Sequence, residues 1–82
     1  MKEKWIKIGM QYERENENGV TNSLLDCDKI TRETVDNTIR DYIKSWTGKG
    51  TVIILNIETG PYRDDLLSLS DKKYFLGREY KI

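Results

Sequence analysis

At 82 residues the chain has the length of one domain with one hydrophobic core, and too little volume for a deep private cavity. Lysine plus arginine and aspartate plus glutamate stand at 14 each, so no global field draws in a phosphate backbone. Histidine is absent, which excludes Ser-His-Asp and Cys-His catalysis and imidazole metal ligands.

From the N-terminus, Lys4 to Tyr12 alternates. Ile6, Ile8, Met10 and Tyr12 fall on one side, and Trp5, Lys7, Gly9 and Gln11 on the other, the period of a half-buried strand. The polar stretch that follows ends in Asn18-Gly19, a dipeptide suited to a tight hairpin turn. A return strand is therefore predicted over Val20 to Asp26, polar enough in Thr21, Asn22 and Ser23 to be an edge strand.

Thr31 to Trp46 predicts an amphipathic helix, because Val35, Ile39, Tyr42, Ile43 and Trp46 form one apolar stripe. Thr31 is placed to cap it, Ile30 and Val35 to form a hydrophobic staple, and Asp36 to pair with Arg40 one turn on. Gly48 offers a left-handed C-terminal cap. Gly48-Lys49-Gly50 follows a helix and precedes a strand, the reverse of the order in phosphate-cradling loops, so it reads as a connector.

Thr51 to Glu58 is β-branched and apolar on both faces at its start, the mark of a central strand, with Ile53, Leu55 and Ile57 assigned to the helix side. Gly60-Pro61 ends it. A leucine-rich segment follows, then a last predicted strand, Tyr74 to Ile82, with Tyr74, Leu76, Tyr80 and Ile82 inward and Phe75 outward. The expectation is a single α+β domain over residues 1–82. Its order is ββαββ, with an antiparallel sheet ordered 2-1-3-4 and one helix on one face.

Cys27 is the one cysteine, so no internal disulfide is available, and two flanking aspartates disfavour a reactive thiolate. A buried structural role is predicted. Asp26 with Asp28 precedes the helix and Asp64 with Asp65 follows a turn, positions where carboxylates serve caps and turns without acid-base or metal chemistry. The expectation is no enzyme activity, no cofactor and no metal. The longest apolar run, Val52 to Leu55, is four residues, and no apolar stretch follows the N-terminal charges, so a cytoplasmic protein is expected.

With the helix claiming one sheet face, Trp5, Lys7, Val52, Ile54 and Phe75 are assigned to the other, more apolar than a solvated face. This predicts a protein-binding surface, with a protein partner or self-association as a homodimer. The module would be a small inhibitor, adaptor or self-associating domain. A composition without alanine and rich in Ile, Lys, Asn and Tyr fits AT-rich coding, hence a phage or mobile-element protein acting on a host factor. Leu66 to Leu69 folding over the patch would remove that surface. One alternative is single-stranded nucleic acid binding, with bases stacked on Trp5 and Phe75 and phosphates on Lys4, Lys7, Lys72, Lys73, Arg78 and Lys81. Glu79 and the zero net charge weigh against it. Another is capture of a nucleotide or other small ligand at an oligomer interface.

Overall fold

The alternation at the start of the chain produces an eleven-residue strand, β1 (Lys4–Arg14), in which Ile6, Ile8 and Met10 are fully buried. The structure is a computed structural model, and it describes residues 4–46, 48–60 and 67–82. β1 turns through Glu15 and Asn16 into β2 (Glu17–Cys27), also eleven residues, paired from Arg14↔Glu17 to Lys4↔Cys27. The turn therefore precedes Asn18-Gly19, which lies within β2. No described non-glycine residue has a positive φ, so the turn needs no left-handed residue, and its position follows from the long register. Gly19 serves packing instead: it lies beneath the Tyr12 ring, where an added Cβ would sit 3.0 Å from the phenol oxygen.

Helix α1 (Arg32–Lys44) starts on Thr31, whose hydroxyl accepts from the Thr34 amide at 3.2 Å. Its C-cap is Ser45, whose amide donates to the Tyr42 carbonyl at 3.0 Å, while Gly48, at φ 92°, turns the chain toward the next strand. Val35, Ile39 and Ile43 are buried. Burying each such side chain stabilises by roughly 1.5–3 kcal/mol, so the stripe rather than intrinsic propensity holds this short helix. Tyr42 and Trp46 pack at its margin, Trp46 edge-on to Tyr12 and to Tyr42 with ring centroids 5.5 and 5.8 Å away.

β3 (Gly50–Gly60) lies antiparallel on the other side of β1, and the short β4 (Glu79–Lys81) completes a four-stranded antiparallel sheet in the order β2-β1-β3-β4. The α+β architecture and strand order are as expected. The facing of β3 is not. Gly9 pairs with Asn56 but Met10 pairs with Ile54, so Leu55 is an extra, bulged residue. The bulge reverses the alternation: Ile57 points under the helix as expected, but before it Val52 and Ile54 are the buried residues, while Leu55 is 46% exposed.

The predicted strand from Tyr74 is also corrected. A second helix, α2 (Leu69–Phe75), is capped by Ser68, whose hydroxyl accepts from the Asp71 amide at 3.2 Å. Helical geometry turns Phe75 into the core, fully buried, and leaves Leu76 at 47% exposure. Gly77, at φ 82°, then reverses the chain and donates to the Ile54 carbonyl at 2.8 Å, which leads into β4. An ion pair between Arg32 and Asp71, 2.9 Å long, ties α2 to the start of α1. Both helices therefore lie on one side of the sheet, and the buried residues form one cluster there. Leu67 belongs to that cluster, and Leu66 lies outside the described residues, as do Pro61, Asp64 and Asp65.

Among the described residues, no helix is long and apolar enough to cross a membrane.

Candidate functional site

The residues assigned to the open face divide sharply. Val52, Ile54 and Phe75 are fully buried on the helix side, the first two through the bulge and the third through α2. Trp5 and Lys7 do lie on the open face. Trp5 sits opposite Asp26 and Gly60, and its indole lies flat enough over Gly60 that any β-carbon there would collide with the ring. Trp5 is half-buried.

The apolar side chains exposed on this face come from positions the periodicity did not single out. Leu24, opposite Lys7, is 67% exposed, and Val20, opposite Gln11, is 66% exposed. Both stand on β2, whose inward residues Thr21, Ser23 and Leu25 are only half-buried by α1. Ser23 meets the Tyr42 hydroxyl at 2.7 Å, and the Cys27 thiol meets the Thr38 hydroxyl at 3.6 Å, so this strand is fastened to α1 at two points. Cys27 is a free, buried thiol.

β2 is also the edge of the sheet, with no described strand on its outer side. Its charged residues, Glu17 and Asp26, stand near its ends, and from Asn18 to Leu25 it carries neither charge nor proline. Edge strands in natural proteins are ordinarily shortened, bulged or studded with lysine to prevent pairing with another chain. A shallow groove lined by Trp5, Lys7, Asn22, Ser23 and Leu24 runs along this rim.

A second cluster lies at the opposite edge. Asp36 of α1 accepts from the Tyr80 hydroxyl at 2.6 Å and from Arg40 Nε at 2.7 Å, with Arg78 Nε 3.6 Å away. The Tyr74 ring is flanked by the guanidinium groups of Arg32 and Arg78, at 4.4 and 4.5 Å from its centroid. Burial raises the Asp36 carboxyl, but the Tyr80 and Arg40 hydrogen bonds and the nearby arginines outweigh it, holding Asp36 below its ordinary range. Burial, followed by donation to Asp36, holds the Tyr80 hydroxyl well above the usual tyrosine range. Tyr80 is therefore a neutral hydrogen-bond donor at pH 7. Asp36 is engaged on two sides, and the cluster joins β4 to α1.

Among the described residues, no group of three or more Cys, Asp or Glu side chains comes together to hold a metal ion. The chain matches no family model, no curated protein and no solved structure.

Proposed function

We propose that this chain is a non-enzymatic protein-binding module that recognises another polypeptide along the edge of β2 and the adjoining open face around Trp5 and Leu24. The observation that carries this reading is the uncharged, proline-free run from Asn18 to Leu25 on an eleven-residue edge strand, with two aliphatic side chains standing beside it in solvent. Added-strand recognition uses such a rim in two ways. Unpaired main-chain groups supply affinity, and alternate side chains on the face supply specificity. Lys7 and Gln11 border the aliphatic pair and would give the contact a polar margin.

Stacking of nucleic acid bases on Trp5 and Phe75 loses its support, because Phe75 is buried on the other side of the sheet and Trp5 is already stacked over Gly60.

Affinity capture with the unaltered chain and with Val20→Lys and Leu24→Lys tests the reading. Both substitutions fall on exposed positions and leave the core intact. A polypeptide held by the unaltered chain and released by both variants supports it, whereas equal retention by all three overturns it.

A further inference from the structure

The same edge has a property that a strand-binding rim does not require: it is complementary to itself. We infer that the polypeptide which pairs with β2 is a second copy of this chain, joined antiparallel about a two-fold axis at Asn22. This rests on the β2-edge reading above and names its partner.

β2 runs from residue 17 to residue 27, so Asn22 is its midpoint and a two-fold axis there pairs all eleven residues. Backbone direction allows it. A two-residue hairpin turn makes its flanking pair, Arg14 and Glu17, the first hydrogen-bonded pair, so the ladder to β1 uses the odd-numbered residues of β2. The amides and carbonyls of Asn18, Val20, Asn22, Leu24 and Asp26 then point to the free edge. Across the axis these residues meet in kind and supply about ten hydrogen bonds.

Side chains select this register over its neighbours. With Asn22 on the axis, Val20 faces the partner's Leu24 on the open face, and Thr21 faces the partner's Ser23 on the helix side. The end pairs are Asn18 with the partner's Asp26 and Glu17 with the partner's Cys27, so no like charges oppose one another. Moving the axis to Thr21 puts Val20 against an asparagine, and moving it to Ser23 puts Val20 against an aspartate. The axis itself is clear. The Asn22 carboxamide leans inward over Gly9, where an added Cβ would stand 3.0 Å from its oxygen. Zero net charge leaves no long-range repulsion between copies.

The dimer would be one eight-stranded antiparallel sheet, with both helix pairs on the same side and the aliphatic pairs buried against each other at its centre.

Two measurements test it. Sedimentation velocity across a concentration series should show the 9.7 kDa chain passing to twice that mass, with Leu24→Lys remaining monomeric. Asn22→Cys should then form a covalent dimer under mild oxidation, because residues on the axis lie about 5.5 Å apart between Cα atoms, within disulfide range. Asn18→Cys, about 27 Å from its counterpart in this register, should not, and the unaltered chain with its buried Cys27 is the control. A monomer at every concentration overturns the inference, as does a dimer that Leu24→Lys leaves intact or that Asn18→Cys traps as readily as Asn22→Cys. Either result leaves the capture experiment free to support or refute the binding reading separately.

Discussion

β4 closes one edge of the sheet with three residues, Glu79–Lys81, whose central Tyr80 is anchored to Asp36 of α1, whereas β2 leaves eleven residues along the other edge with no charge from Asn18 to Leu25. The two edges have different supports. At β4 the residues on either side of Tyr80 are charged and exposed, the strand is too short to template another chain, and an aromatic-carboxylate-guanidinium cluster fixes it to the helix layer. At β2 the inward face is only half-covered, and the outward face carries Val20 and Leu24 in solvent. Among the described residues, one edge is finished within the chain and the other is not.

The largest effect expected from breaking the finished edge comes from its base. Phe75→Ala would empty a fully buried aromatic site beside Tyr74 and should cost about 3–5 kcal/mol in urea-induced unfolding. A cost below about 1 kcal/mol would mean that α2 does not seal the core at this edge.

Next is the Asp36–Tyr80 bond. Tyr80→Phe keeps the ring and removes a hydrogen bond to a charged group, so a loss of roughly 1.5–3 kcal/mol is expected at neutral pH. The pH dependence fixes the sign. Asp36 is depressed in the folded chain, so its contribution is complete above the ordinary aspartate range and fades as pH falls through its lower, folded value. Tyr80 is raised, so its contribution is complete below about pH 10 and fades as pH climbs above it. Unfolding curves of the unaltered chain and Asp36→Asn should therefore converge on acidification, and those of the unaltered chain and Tyr80→Phe on alkalinisation. Parallel curves in either series would remove the bond from the account of this edge.

The contrast between the edges also explains what was readable from residue order. β1 and α1 were legible because one period runs through each without interruption, and the Asp36–Arg40 pair followed from helical spacing. β3 was misread because Ile53 and Ile54 are equally apolar: either phase gives a plausible inner row, and the bulge at Leu55 that selects between them is a property of pairing with Gly9 and Met10, not of β3 alone. α2 left a signal that alternation from Tyr74 onward concealed. Ser68 and Asp71 have the Ser-x-x-acid spacing of a helix start, and Gly77 stands where the chain must reverse. Two members of the proposed surface, Val20 and Leu24, were hidden for a different reason. An edge strand rich in Thr, Asn and Ser shows little periodicity, and its long register depends on β1.

The smallest effects separate surface from stability. At a concentration too low for association, Leu24→Lys should change unfolding free energy by no more than about 0.5 kcal/mol, because the side chain is mostly in solvent, and Glu79→Leu should be as mild, since Glu79 is exposed at the opposite edge. Their influence on association should nevertheless differ. Placing an aliphatic residue on β4 creates an apolar spot without the unpaired main chain needed to bind along it, so sedimentation of Glu79→Leu should match that of the unaltered chain. Leu24→Lys puts a charge against the aliphatic partner of an eleven-residue rim and should shift the chain toward monomer. If Glu79→Leu promoted association as strongly as Leu24→Lys weakened it, exposed apolar area alone would govern the contact, and strand length would have no part in it.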